Sequence, residues 1–423
     1  MAKRKYTTAS IALRVLPKEE RWDCHGCGHC CRGTIIALDS DDLAQLEQQQ
    51  WDKHADMAGV CVVRRSSLLG NHFELARRDD GSCVFFTSDG RCRIHEEFGE
   101  DAKPRICRMF PLQPVRLDRN AWLTVRRSCP SAALGQGRAI KDHLADFRRQ
   151  LDRRGIVLGP AAPPPVSTRY RGDWDIVHRV ADSLERLVSD TQYSLARRLV
   201  HGLYFCRNLD QCRLRSFNAR ALSQLPAAIE SAAPGDAREL SGDREPPTRS
   251  ARGIFHQTVF EHLRLHPRYV IRPSLAEKWR LLRAGYRFAR GRGELPFVHA
   301  DLPRATFDSF DRPLGRLAEE IMRPITEYFE TAVLSRRFMM LGRSRWPITD
   351  SFRALALSHA IVLWLGRLTS NGREPTVDDA VEAIIAVDRA QGFAPLCGRR
   401  HRQRVAGLEY LDQLEVLVSW YDR

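Results

Sequence analysis

The stretch CHGCGHCC at residues 24–31 places four cysteines and two histidines in eight positions, and no other segment restricts the fold as strongly. A structural disulfide, a zinc site, an iron–sulfur ligand set and a reactive thiol are four uses for it. A disulfide between the adjacent Cys30 and Cys31 would close a strained ring. In a long chain without the pattern of a secreted protein, metal binding is the favoured interpretation.

The chain has 423 residues, of which 43% are apolar, and this suits a globular protein of two or three domains. Its N-terminus is basic, but Arg14 and Pro17 interrupt the short apolar stretch, so we predict no signal peptide. The longest apolar segment, around residues 356–368, contains His359 and Arg367 and is predicted to be a buried helix instead of a membrane span. We therefore expect a cytoplasmic protein whose thiols stay reduced.

The formal charge of +15 raises the question of nucleic-acid binding. Arginine supplies most of this charge, and the arginines are spread along the whole chain. No basic tract alternates with aromatic residues, as a nucleic-acid surface would require. We expect a solvated basic surface or an acidic partner, and no nucleic-acid binding.

The cysteines are concentrated in the first third of the chain, and this change in composition predicts a domain boundary. We predict a cysteine-rich domain that binds a metal or an iron–sulfur cluster over residues 1–156, a Pro-rich linker over 157–170 and a mostly helical domain over 171–423. Within the first domain, residues 71–86 read as strand, turn and strand, and the acidic DSDD stretch after Leu38 predicts the start of a helix. The predicted fold class is α+β.

Eight cysteines are candidate metal ligands: Cys24, Cys27, Cys30, Cys31, Cys83, Cys92, Cys107 and Cys129. Cys24, Cys27 and Cys30 have the C-x2-C-x2-C spacing that lets three thiolates face one iron–sulfur cubane. Cys129, which precedes a proline, is a candidate remote fourth ligand. Because a structural zinc site uses four ligands, eight thiols favour an iron–sulfur cofactor, a 4Fe–4S cluster, over zinc.

The number of sites is open at this stage. Cys83 and Cys92 flank the turn sequence TSDG, so a hairpin can bring them together, and Cys107 follows Pro104, where a short helix is predicted. One division of the ligands has Cys24, Cys27, Cys30 and Cys129 at one site and Cys31, Cys83, Cys92 and Cys107 at another. A single site with free thiols beside it is the alternative.

Other residues near the cysteines have predicted roles of their own. Five arginines are expected to offset the negative charge of a four-thiolate cluster: Arg93, Arg105, Arg108, Arg126 and Arg127. His25 and His29 are expected to be exposed loop residues instead of ligands, and His95 is likewise not expected to be a ligand. Cys61 is predicted to lie in the core of a strand, and the three distant cysteines are predicted to be small buried hydrophobes: Cys206, Cys212 and Cys397.

Three segments together resemble the CxxCxxCC cysteine-cluster family, a zinc- or iron-chelating domain: CHGCGHCCRG, CVFFTSDGRCRIHEEFGEDAKPRICRMFPL and RRSCP. The resemblance covers about residues 20–135, and the matching positions are Cys24, Cys27, Gly28, Cys30, Cys31, Cys83, Phe85, Arg91, Cys92, Ile94, Cys107, Arg108, Phe110 and Pro111. The family has an arginine four residues before Cys107. This chain has Lys103 there, and Arg105 is the candidate replacement.

Longer members of this family with a helical second domain resemble flagellin lysine N-methylases, and the segments SHAIVLWL (358–365) and AVDRAQG (386–392) are similar to theirs. This resemblance implies an S-adenosylmethionine-dependent methyltransferase that acts on lysines of a flagellin-like protein. The chain itself shows neither a Gly-rich cofactor fingerprint after a strand nor a radical-SAM cysteine triplet. A non-enzymatic metal carrier and a redox-sensing cluster protein are the alternative functions.

Overall fold

The computed structural model describes residues 11–423 except 33, 66–71, 154–157, 159–160, 238–244, 265–273, 297, 299–304, 314, 341–345 and 394–397. Short strands and helices alternate in the first 153 residues, and helices dominate the remainder. The predicted α+β class is therefore confirmed.

The strands of the described residues form three small sheets. They are β1 (Ala12–Val15), β2 (Arg21–Trp22), β3 (Ala37–Leu38), β4 (Val63–Arg65), β5 (Phe73–Leu75), β6 (Leu112–Leu117), β7 (Asn120–Val125) and β8 (Arg138–Ala139). The sheet orders are β1-β7-β6, β2-β8 and β3-β5-β4, and the β1–β7 pair is parallel while the other pairs are antiparallel.

Five helices accompany these strands: α1 (Ser40–Gln48), α2 (Arg93–Phe98), α3 (Arg105–Met109), α4 (Pro130–Ala133) and α5 (Ile140–Arg153). The predicted start of α1 is confirmed, because the Asp39 carboxylate accepts hydrogen bonds from the backbone N–H groups of Asp41 and Asp42 at 3.1 and 2.9 Å. Trp51, Leu75 and Phe85 are buried in a small core between β5 and α1. This core supports the loops that carry most of the cysteines.

The helices of the second region are α6 (Trp174–Ser189), α7 (Leu195–Gln211), α8 (Ala219–Asp236), α9 (Arg249–Arg264), α10 (Leu275–Arg290), α11 (Phe307–Phe310), α12 (Glu319–Leu334), α13 (Ile348–Ser370), α14 (Val377–Phe393), α15 (Arg399–Tyr410) and α16 (Leu414–Trp420). They pack around α13, which is almost wholly buried. Val115 and Leu117 of β6 belong to the same apolar core, so the first region is packed directly against the helices.

The predicted linker packs against the helical region where it is described. Residues 157, 159 and 160 lie outside the described residues, but Val166 is fully buried. The carbonyl oxygen of Pro165 accepts a hydrogen bond from the backbone N–H of Ile348 at 2.9 Å. The domain limits at 156 and 171 stay a prediction.

In the described part of the chain, α13 is the one helix whose length and composition would allow it to cross a membrane. The most apolar stretch of α13 is entirely buried inside the protein. The burial explains the apolar composition of this segment by packing in the core.

Candidate metal centre

Two glycines shape the loop that carries the first cysteines. Gly26 and Gly28 have φ angles of 65° and 67°, which lie in the left-handed region that side chains with a Cβ rarely adopt. The chain then forms one turn of 3-10 helix over His29–Cys31, closed by a hydrogen bond of 3.0 Å from the Cys31 N–H to the Gly28 carbonyl. The loop therefore turns at each gap between Cys24, Cys27 and Cys30.

A second segment pairs with this loop and brings further cysteines to it. The Cys83 N–H donates a hydrogen bond of 2.7 Å to the Cys31 carbonyl, and Arg32 and Ser82 form an antiparallel bridge. Phe86 and Cys92 form another antiparallel bridge across the TSDG turn, as predicted from the sequence. The backbone therefore places Cys83 and Cys92 beside the CHGCGHCC loop.

Two cysteines directly precede short helices. Cys92 lies before α2 and Cys129 before α4, so their sulfurs are near backbone N–H groups of a first helical turn. The N–H of His95 favours the thiolate of Cys92, and the N–H of Ala132 favours that of Cys129. Backbone N–H groups of this kind support thiolate ligands of metals.

Most of the candidate ligands surround one cavity of about 300 Å³. Seven of the eight lie on its wall: Cys24, Cys27, Cys30, Cys31, Cys92, Cys107 and Cys129. The eighth, Cys83, interacts electrostatically with Cys30 and Cys92, so it lies close to the same group. The structure thus brings together all eight cysteines that are candidate ligands.

Cys30 is at the centre of the group. Its thiol interacts with those of Cys83, Cys92 and Cys107, and also with those of Cys27 and Cys129. Cys30 therefore lies between the two predicted ligand sets. The division of the ligands between one site and two stays a prediction.

No three Cys, His, Asp or Glu side chains converge on a point where they could hold a metal ion, within the residues that the structure describes. The thiols instead surround the cavity described above. Closing them on a metal requires rotation of side chains whose backbones are already adjacent.

Burial keeps the inner thiols protonated. It raises the pKa of Cys83 to about 12 and that of Cys129 to about 12, and it also raises the pKa of Cys107. The neighbouring Cys31 thiol and burial together raise the pKa of Cys30 well above its ordinary value. A metal bound here must displace these protons, so its affinity will depend on pH.

Lys103 supplies positive charge to the cysteine group. This lysine is buried, with 8% of its surface exposed, and its ammonium group lowers the pKa of Cys30, Cys92 and Cys107 against the effect of burial. Arg105, the candidate replacement for the missing arginine, is 3.2 Å from the Asp39 carboxylate instead. Of these two residues, Lys103 is therefore the one that acts on the thiols.

The five arginines predicted to neutralise the cluster all have carboxylate partners. The ion pairs are Arg93 with Asp56 and Glu97, Arg105 with Asp39, Arg108 with Asp101, Arg126 with Asp388, and Arg127 with Glu20. Several of these pairs join elements that are distant in sequence. The pairs of Arg105, Arg126 and Arg127 connect elements around the site.

The other cysteines and the histidines have varied surroundings. His25 is exposed, as expected, whereas His29 is partly buried and begins the 3-10 turn. His95 is exposed and lies in α2. The prediction for Cys61 is wrong, because its side chain is exposed and the residue precedes β4. Cys206 is buried, Cys212 is partly buried, and Cys397 lies outside the described residues.

Asp388 of α14 connects the helical region to the residues before Cys129. Its Oδ2 accepts a hydrogen bond of 2.8 Å from the Arg126 Nε and one of 2.9 Å from the Ser128 N–H. Arg337 pairs with its other carboxylate oxygen, Oδ1. The two segments singled out by their resemblance also meet, since the Gln391 amide donates a hydrogen bond of 2.5 Å to the Ser358 hydroxyl.

Comparison with known families identifies the first region. Residues 23–130 match the family model CxxCxxCC, described as a putative zinc- or iron-chelating domain. The cysteine-rich part of this chain is thus a CxxCxxCC domain, and all eight candidate ligands lie inside the match. No curated protein and no solved structure matches the chain significantly.

Proposed function

We propose that the chain is an iron–sulfur protein and that its cysteine cavity holds the cluster. The main support is that seven cysteines line one cavity of about 300 Å³, which is more thiols than a four-ligand zinc site uses. The donor set is made of thiols, as iron–sulfur clusters require, and backbone N–H groups accompany Cys92 and Cys129.

The first ligand set in this proposal is Cys24, Cys27, Cys30 and Cys129. Cys27 interacts with Cys24 and Cys30, and Cys129 interacts with Cys27 and Cys30. A bound cluster would supply one-electron redox chemistry or a Lewis-acidic iron. This chain's own residues would tune it, because Lys103 adds positive charge beside Cys30 and the backbone N–H of Ala132 favours the Cys129 thiolate.

Anaerobic purification followed by analysis of iron, sulfide and zinc tests the proposal. We expect brown protein with iron and sulfide in similar amounts and little zinc. Cys30→Ser should lose most of the iron, because Cys30 interacts with both groups of thiols. The matched control is Cys61→Ser, an exposed thiol outside the group. Colourless protein with stoichiometric zinc would overturn the proposal.

We also propose, from the resemblance to lysine N-methylases, that the chain acts in the cytoplasm and transfers methyl groups from S-adenosylmethionine to lysines of a flagellin-like protein. Two contacts support this proposal. Ser358 and Gln391, one from each of the two segments similar to the methylases, form a hydrogen bond, and Asp388 of the second segment binds the backbone beside Cys129. Calorimetry with the cluster-loaded protein should show heat of S-adenosylmethionine binding. Absence of binding to a fully loaded protein would remove methyl transfer and leave the carrier or sensor function.

A further inference from the structure

Helix α10 presents an apolar stripe to solvent. Leu275 is 76% exposed, Trp279 is 70% exposed, and Leu282 and Tyr286 are each 65% exposed. Their spacings of four, three and four residues place them on one face of the helix. Large apolar side chains scattered singly need no explanation, but four on one helix face indicate a binding surface.

The opposite face of α10 holds the helix to the protein. Ala284 and Phe288 are buried, and the Phe288 ring lies 5.2 Å from the rings of both Phe260 and Phe307, measured between centroids. A capping box at Ser274 and Glu277 starts the helix. The fold therefore fixes α10 without using its exposed stripe.

Positive charge accompanies the stripe. Five exposed basic residues lie on α10: Lys278, Arg280, Arg283, Arg287 and Arg290. Glu277 is the single carboxylate of the helix, and it accepts a hydrogen bond of 2.7 Å from the Ser274 N–H. On a helix, Arg283 and Arg290 fall along one edge of the stripe and Lys278 falls along the other.

We propose that α10 binds the surface of a membrane containing anionic lipids, with the stripe inserted at the level of the headgroups. Leucine, tryptophan and tyrosine beside arginine and lysine are the composition of helices that lie in a membrane interface. Tryptophan and tyrosine are amphipathic and are enriched at that depth. A second copy of the chain fits poorly, because each copy has a charge of +15 and would repel the other at this basic face.

Sedimentation of the 423-residue chain with vesicles tests the proposal. We expect binding to vesicles of phosphatidylglycerol and phosphatidylcholine, weak binding to phosphatidylcholine alone, and release by salt. Arg283→Gln should weaken binding about fivefold, because one basic residue near such a surface contributes about 1 kcal/mol. The double variant Trp279→Ser, Leu282→Ser should abolish it.

Tyr410→Ala is the matched control, since Tyr410 is 88% exposed and lies outside α10. It should bind vesicles like the unchanged protein, and all variants should unfold at the same urea concentration. Equal binding by the Trp279→Ser, Leu282→Ser variant, equal binding to neutral vesicles, or binding only to an acidic protein or nucleic acid would overturn the proposal. The outcome is independent of the metal content, which is measured on the same samples.

Discussion

The Asp388 carboxylate accepts a hydrogen bond from the backbone N–H of Ser128 at 2.9 Å, one residue before Cys129. Asp388 belongs to the helical region and Cys129 to the CxxCxxCC domain. Burial alone would raise the pKa of Asp388, but Arg126 and Arg337 outweigh it and lower this pKa to about 2. A charged side chain from one region thus fixes the backbone next to a candidate ligand in the other.

Asp388→Asn should destabilise the protein by about 3 kcal/mol, because it removes the carboxylate charge that pairs with the buried Arg126 and Arg337. The Cys129 thiol should also react faster with an alkylating reagent, because the hydrogen bond from the neighbouring Ser128 N–H to residue 388 is weakened. Urea unfolding measures the first effect, and mass spectrometry of timed alkylation measures the second.

Asp378→Asn is the control for this change, because Asp378 is exposed and lies on the same helix. Its effect on the free energy of unfolding should stay within about 0.5 kcal/mol. If Asp388→Asn were as mild as this control, the connection between the two regions would not depend on Asp388.

Gly28→Ala should disturb the cysteine loop more than Gly26→Ala. Both glycines have φ near +65°, so either substitution costs about 1 kcal/mol through the backbone. A Cβ at Gly26 meets no atom within 4 Å, whereas a Cβ at Gly28 would overlap the buried ring of Phe86. We expect Gly28→Ala to cost about 1–3 kcal/mol more in unfolding experiments. Equal losses would show that the Phe86 ring moves aside.

Lys103→Ala should lower the metal affinity of the cysteine group by about 10- to 100-fold, the usual effect of removing a supporting residue around a metal site. The reason is that Lys103 favours the thiolates of Cys30, Cys92 and Cys107. Competition with a chelator measures the affinity. Lys103→Arg, which keeps the charge, should retain more metal than Lys103→Ala.

The exposed Lys53 supplies the control for that experiment. Lys53→Ala removes the same charge from the protein as a whole but none from the cavity, so its metal affinity should be unchanged. A similar loss in Lys53→Ala and Lys103→Ala would mean that the net charge matters and the position of Lys103 does not.

The local features of the site could be predicted from the sequence because each depends on neighbouring residues. The Asp39 cap, the bridge that joins Phe86 and Cys92, and the helix after Pro104 are examples. The partners of the arginines could not be predicted in the same way. Arg126 pairs with Asp388, 262 residues further along the chain, and only the packing of the helical region brings them together.

The role of Lys103 is a second feature of the site that could not be predicted from the sequence. The resemblance drew attention to this position as a departure from the family, and Arg105 stood as close in sequence. Which of the two cations faces the thiols depends on the turn before α3, and the structure directs Arg105 to Asp39. A motif identifies the residue types of a site, but the direction of a side chain depends on its helix and its neighbours.

The contribution of Asp422 to the free energy of unfolding falls as the pH rises. Burial raises the pKa of its carboxyl group to about 7, and its Oδ1 lies 3.4 Å from the Nε2 of the fully buried His359. Between pH 4 and pH 7 the unfolded chain releases this proton before the folded protein does. The free energy of unfolding contributed by this group therefore decreases across that interval and is constant above it.

Asp422→Asn removes this dependence. At pH 8 the variant should be more stable than the unchanged protein by up to about 4 kcal/mol, because no carboxylate has to form at this partly buried position, and at pH 4 the two should be nearly equal. Urea unfolding at both values measures the difference, with Asp308→Asn, an exposed position, as the control. A variant that is less stable at pH 8 would show instead that the Asp422 carboxylate has a stabilising partner in the folded protein, and His359 would be the first candidate.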